Sequence, residues 1–199
     1  MPAHGTRNLI IEKADTLFYE GGFAATSFAD IAAAVGISRG NFYHHFKSKD
    51  EILNAVISRR LKRTRKMLDD WQAGGAQPRD RILSFIHMLI TNRIKIMAFG
   101  CPVGTLCSEL AKLDHEAQHR AAEIFGLFRD WLAGQFRALG IDAQAEARAM
   151  HLLVWSQGVA ALSNAFHDEA FIQREVAGIT QWLDSVIVDQ NNQKEHICS

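Results

Sequence analysis

The sequence predicts an all-α protein: an N-terminal three-helix head of helix-turn-helix type joined to a larger helical body, with about nine helices in total. Three observations predict this. Apolar residues recur at helical spacing along most of the chain. No stretch alternates apolar and polar residues as a half-buried strand would. The helical runs are parted by breaks that carry glycine or proline. At 199 residues the chain is long enough to bury a sizeable core.

Residues 6 to 20 read as the first helix, with Ile10, Ala14, Leu17 and Phe18 on one face, and Gly21 and Gly22 stop it. Phe28, Ile31, Ala32 and Val35 then fall at i, i+3, i+4 and i+7, one apolar stripe on a short helix. Thr26 or Ser27 stands just before the stripe, where a hydroxyl can accept from an orphan N–H of the first turn. Gly36 ends the helix, because glycine enters the left-handed conformation without a Cβ penalty. Ile37 follows as a buried plug and Ser38 as the next N-cap. A second short helix runs from Arg39 to His45, with Phe42 and Phe46 turned inward. Two short helices joined by a tight glycine-bearing turn form a helix-turn-helix.

The outer side of that second helix carries Arg39, Asn41, Tyr43, His44 and His45, followed by Lys47 and Lys49, and Ser38 and Gly40 join them as candidate DNA contacts. No carboxylate interrupts the run between Ser38 and Lys49. Donors and cations without acids suit a helix entering a major groove, and Gly40 lets the backbone approach a phosphate or base edge.

Ser48 caps a long helix reaching Ala73, with Glu51 spaced for a capping box and Leu53, Ile57, Leu61, Thr64, Leu68 and Trp71 inward. Its middle, Arg59 to Lys66, is basic. The stretch from Ala73 to Pro78 breaks the chain, and a helix follows from Arg79 to Phe99. Gly100 to Pro102 is a second break. Helices are expected from Gly104 to Lys112, from His115 to Leu139, and from Asp142 to Phe166. A last one begins at Asp168 or Glu169, with Ile172, Val176, Ile179, Leu183 and Val186 as its stripe. The polar end of the chain reads as a flexible tail. The division expected is a head over 1–50, a body over 51–190 and a tail over 191–199.

Formal net charge is zero over the whole chain. Residues 1–66 nevertheless carry a net charge of +5, and residues 67–199 carry −5. Such asymmetry suggests that one end meets a polyanion. The three cysteines, Cys101, Cys107 and Cys198, are too few and uneven for a disulfide framework and fit a reducing cytoplasm. No apolar run reaches the ~18 residues of a membrane span, and the N-terminus lacks a secretory h-region. Cys101 and Cys107 with His87 or His115 lack metal-ligand spacing, so no metal or other cofactor is expected. Ser156–Gln157–Gly158 is not a nucleophile elbow, and no phosphate loop or catalytic carboxylate pair stands out, so an enzyme is not expected.

The order of Thr26, Ile31, Ala32, Val35, Gly36, Ser38, Asn41, Tyr43, His45, Phe46, Lys47, Lys49 and Leu53 resembles the DNA-binding domain of the tetracycline-repressor (TetR) family. The resemblance covers the chain only to Leu53. It implies a double-stranded DNA operator as partner. Thr26, Ser27 and Lys49 are then expected on phosphates, and Tyr43, His44 and His45 on further backbone positions. Arg39 and Asn41, with the Gly40 backbone, are expected at base edges, since arginine favours guanine and asparagine adenine.

For the body, the resemblance implies a homodimer through the last two long helices and a small-molecule inducer site. Apolar and aromatic residues with a few polar groups are the candidate walls: Met67, Trp71, His87, Met88, Thr91, Phe99, Cys101, Phe125, Phe128 and Trp155. Gly100, Cys101, Gly104, Leu106 and Glu109 also resemble a segment found in a branch of the family that includes sensors of reactive electrophiles. The function expected is a ligand-responsive transcriptional regulator, in the repressor sense. The alternative is a helical interaction protein whose basic head binds another acidic partner.

Overall fold

A computed structural model describes residues 3–197, the side chains of residues 3, 4, 39, 191 and 193–197 excepted. Among the described residues there are ten helices: α1 (Ala3–Gly21), α2 (Phe28–Val35), α3 (Arg39–His45), α4 (Lys49–Gly74), α5 (Pro78–Thr91), α6 (Arg93–Phe99), α7 (Pro102–Lys112), α8 (Gln118–Ala138), α9 (Ala145–Phe166) and α10 (Glu169–Ile197). The additional helix comes from the stretch expected to be continuous from Arg79 to Phe99, which divides at Asn92. That residue has φ −102° and ψ 10°, and its side-chain amide donates to the Met88 carbonyl at 2.9 Å. An asparagine that bonds local backbone competes with continuation of the helix. At the other end, α10 continues to Ile197, through most of the segment expected to be a tail. Cys198 lies outside the described residues.

The helices gather into two compact units. One is the chain up to Thr64 together with Pro102–Ile124, and the other is Arg65–Cys101 together with Phe125 onward. In the first unit, Ile10 and Phe18 of α1, Ile31 of α2, Phe42 of α3 and Leu53 of α4 are buried together with Leu110 of α7. Phe42 and the adjoining Phe46 are each 1% exposed, and burying a phenylalanine fully contributes about 1.5–3 kcal/mol. In the second unit the buried residues include Phe85 and Ile86 of α5, Phe136 of α8, Leu152 of α9 and Leu183 of α10. Arg79 clasps Asp184 through two bonds of 2.6 and 3.0 Å, which ties the start of α5 to α10.

The segment Arg93–Lys112 has a mean hydropathy of 1.3, apolar enough by composition for a membrane span. It is two helices of seven and eleven residues, parted at Gly100 with φ 77°. A span needs about 20 continuous residues.

Candidate nucleic-acid interface

The helix-turn-helix is held by bonds that its own sequence supplies. Ser27 is the N-cap of α2: its hydroxyl accepts from the Asp30 N–H, and the Asp30 carboxylate accepts from the Ser27 N–H at 2.8 Å and from its hydroxyl at 2.6 Å. The Ser27 hydroxyl and then its N–H hold the Asp30 carboxyl below its ordinary value, since both bonds favour the charged form. Gly36 closes the helix with φ 74° and ψ 35°, and the N–H groups of Gly36 and Ile37 both reach the Ala32 carbonyl, at 3.0 and 3.2 Å. This is a Schellman-type end, in which orphan carbonyls are satisfied by the residues past the cap. The Ser38 hydroxyl then accepts from the Asn41 N–H at 3.3 Å and starts α3.

The two helices lock through aromatic rings. Phe28 meets Phe42 edge-on at 5.3 Å and Tyr43 at 5.7 Å. With Phe42 and Phe46 buried, the opposite side of α3 faces outward: Gly40, Asn41, Tyr43 and His44 are exposed, and His45 is half-buried. Ser27 and Ser38 are exposed beside them. The Arg39 backbone opens α3, and its side chain lies outside those described. The arrangement is a helix with hydrogen-bonding side chains on one face and no acid among them, as a major-groove reader requires.

Thr26 and Lys49 are turned differently. Thr26 is 5% exposed, and its hydroxyl donates to the Gly22 carbonyl at 2.7 Å. The Lys49 ammonium donates to the carbonyls of Phe23, Ala24 and Thr26 at 2.9, 3.2 and 3.1 Å, and lies 4.4 Å from the centre of the Phe23 ring. Both residues serve the turn between α1 and α2. The expected capping box at α4 is also shifted. Ser48 accepts from the Glu51 N–H at 3.1 Å, but the Glu51 carboxylate takes the Lys47 N–H, at 2.7 Å, instead of that of Ser48.

Sequence reasoning missed two residues of the interface. Asp30 was legible, since acid three residues after an N-cap serine is a capping signature. Glu109 was not: it lies on α7, yet its carboxylate accepts from the N–H groups of Phe23 and Ala24 at 2.9 and 2.8 Å. No local pattern announces a partner so distant in sequence.

The candidate ligand residues Met67, Trp71, His87, Met88, Thr91, Phe99, Cys101, Phe125, Phe128 and Trp155 all belong to the second unit. Phe128 is buried edge-on to Phe85 at 5.5 Å, and Trp71 meets Trp131 at 5.7 Å. His87 and Thr91 are exposed, whereas Met67, Met88, Phe99, Cys101, Phe125 and Trp155 are half-buried. The indole N–H groups of Trp131 and Trp155 are buried without a hydrogen-bond partner. Among the described residues, no group of three or more His, Cys, Asp or Glu side chains gathers as a metal site.

Comparison with known proteins agrees with this geometry. Residues 10–56 match the N-terminal model of the bacterial regulatory proteins of the tetR family, and residues 78–177 match the C-terminal domain of LmrA/YxaF-like transcriptional regulators. An uncharacterized HTH-type transcriptional regulator from the lacX 3′ region of Lactococcus lactis subsp. lactis is 27% identical over 152 residues, 75% of this chain and 78% of that one. The HTH-type transcriptional repressor NemR of Escherichia coli is 24% identical over 115 residues, 57% of this chain and 58% of that one. The crystal structure of its reduced form superposes with a TM-score of 0.73 over 87% of this chain and 95% of that one, at 18% identity. A TetR transcriptional regulator from Legionella pneumophila superposes with a TM-score of 0.80 over 94% of this chain and 99% of that one, at 25% identity. These are families of DNA-binding regulators, not of enzymes. The chain belongs to the TetR family of transcriptional regulators, with an LmrA/YxaF-like C-terminal domain.

Proposed function

We propose that the protein is a homodimeric repressor that binds a palindromic operator and releases it when a small molecule enters its C-terminal body. The observation that carries the reading is the α2–α3 unit, capped at both helix starts and closed at Gly36, with an acid-free polar face on α3. Arg39 and Asn41 read base edges, while Ser27, Tyr43, His44 and the exposed Lys47 contact the phosphate backbone. Thr26 and Lys49 act from beneath by shaping the turn that leads into α2. Two such heads on a twofold axis read half-sites about 34–36 Å apart, or further where the operator is longer. The protein acts on a double-stranded DNA operator in the bacterial cytoplasm.

Dimerisation rests on α9 and α10. Met150, Val154, Gly158, Leu162 and Phe166 follow one another at every fourth position of α9, and all five are exposed, Val154 at 64% and Phe166 at 70%. A row at i±4 is a packing ridge, and a glycine at its centre lets a second helix approach closely. Val188 of α10 adds a further exposed apolar side chain. A twofold copy of this face covers the ridge.

For the inducer, the buried indole donors of Trp131 and Trp155 favour a ligand that brings hydrogen-bond acceptors into an apolar surround, because buried donors are otherwise almost always paired. Cys101 is the electrophile-responsive position. Its sulfur bonds to the electrophilic carbon of a quinone or enal as its S–H proton passes to water, the C=C electron pair moves toward the carbonyl, and water returns a proton to the adduct. Its half-buried setting directly after the Gly100 break supports this assignment. A ligand releases DNA only to the extent that it prefers the non-binding state of the dimer.

Selection of bound duplexes from a random pool tests the operator reading. A palindromic consensus enriched by the full chain supports it, and a pool that stays random after repeated rounds overturns it.

A further inference from the structure

The turn between α1 and α2 is held from two sides. Its N–H groups point at a carboxylate: Phe23 N–H donates to Glu109 Oε2 at 2.9 Å and Ala24 N–H to Glu109 Oε1 at 2.8 Å. Its carbonyls point at an ammonium, Lys49 Nζ, which takes Phe23, Ala24 and Thr26. The peptide groups of one short turn thus lie between an anion carried by α7 and a cation carried by α4. Charge-assisted bonds of this kind are stronger than neutral ones. The Phe23 side chain is clamped at the same point, edge-on to Phe18 at 5.2 Å and to His115 at 5.3 Å. Gly22 completes the fit. It sits at φ +88°, and a Cβ there would stand 3.1 Å from Glu109 Oε1.

We infer that Glu109 is a positioning residue for DNA binding, through which α7 sets the placement of α2 and with it the whole helix-turn-helix. The inference rests on the DNA-binding reading above but goes beyond it. The DNA-binding unit is not the N-terminal head alone: the head's own Lys49 takes the carbonyls of the turn, and α7 supplies the acceptor for two of its amides. Ser27, the N-cap that faces DNA, lies three residues past the second clasped amide, so loosening the turn frees the start of α2.

The test uses the full-length chain with E109Q, E109A and G22A. Amide hydrogen exchange at Phe23 and Ala24 is read alongside affinity for the selected duplex. E109A removes both acceptors, and exchange at these two amides is expected to rise by about ten- to a hundredfold. E109Q keeps one acceptor oxygen and is expected to fall between E109A and the parent. G22A crowds the carboxylate and is expected to follow E109A. Amides in the middle of α4, such as that of the buried Leu61, keep their protection, which separates local positioning from general destabilisation. Affinity for the duplex is expected to fall about tenfold in E109A, with partial rescue in E109Q. Unchanged exchange at Phe23 and Ala24 overturns the clasp. Faster exchange with unchanged affinity overturns the positioning role, and so does a loss of protection spread evenly over the unit. Should the parent chain bind no duplex selectively, the operator reading fails, and the exchange result still decides whether Glu109 holds the turn.

Discussion

Arg60 of α4 and Asp15 of α1 form an ion pair in the first unit, Nε to Oδ1 2.7 Å, with side chains only 10% and 15% exposed. The same guanidinium donates to the Pro102 carbonyl at the start of α7. One cation therefore joins three helices: the one that begins the head, the one that leaves it, and the one that carries Glu109. Removing one partner of a nearly buried pair leaves the other charge without compensation. Asp15→Ala is expected to destabilise the protein by about 3 kcal/mol, measured as a shift in the urea unfolding midpoint. A loss of a few tenths would mean that water replaces the carboxylate freely.

The N-cap of α2 gives a prediction in stability and one in titration. Ser27→Ala removes the acceptor for the Asp30 N–H and is expected to cost about 1 kcal/mol. Because the Ser27 hydroxyl is the main cause of the lowered Asp30 pKa, the substitution should also raise that pKa toward its ordinary value. The sign follows from linkage. A depressed carboxyl contributes stability that is present above its unfolded pKa and is lost as pH falls through the folded one. The stability difference between the parent and Asp30→Ala should therefore hold at neutral pH and shrink below about pH 4. Carboxyl chemical shifts followed against pH give the titration directly, and identical Asp30 titrations with and without the Ser27 hydroxyl would contradict it.

Arg39→Ala and Lys47→Ala should separate base reading from phosphate attraction. The arginine change is expected to cost about 1–3 kcal/mol on the operator and to relax preference at one base pair. The lysine change should weaken operator and scrambled DNA alike and reduce the salt slope by about one. Equal losses on both duplexes for Arg39→Ala would remove it from the base-reading role.

Val154→Glu places a charge in the centre of the exposed α9 ridge. It is expected to weaken dimerisation by about 2 kcal/mol or more, read by sedimentation over a dilution series. An unchanged dimer would put the interface elsewhere.

Cys101→Ser should leave operator affinity intact and abolish release by a quinone. A mutant that still releases DNA fully in the presence of the quinone would make Cys101 a packing residue.

The helix-turn-helix was legible because its determinants are local. Ser27, Gly36 and Ser38 act within a turn of where they stand, and the stripe from Phe28 to Val35 needs no distant partner. Helix boundaries were less so. α7 starts at Pro102 and not Gly104, as suits a proline at the first helical position. α8 starts at Gln118 because Asp114 takes a positive φ of 49° and the His115 N–H turns back to the Leu110 carbonyl. Pairing between distant segments was not legible at all. Periodicity tells which face of α7 is buried, but not that its Glu109 meets amides 85 and 86 positions earlier. The inward role of Lys49 was hidden for the same reason: a lysine at a helix start suits a phosphate equally well, until the carbonyls of the preceding turn are seen around it.

The most direct measurement is a fluorescence-anisotropy titration of the full chain against the DNA upstream of its own gene and a scrambled duplex, each at two salt concentrations. The account predicts saturable binding to the upstream DNA at physiological salt, with one or more dimers per site and an affinity about a thousandfold or more above that for the scrambled duplex. Binding that ignores sequence and vanishes with salt on these duplexes, and on those from the random-pool selection, would contradict it.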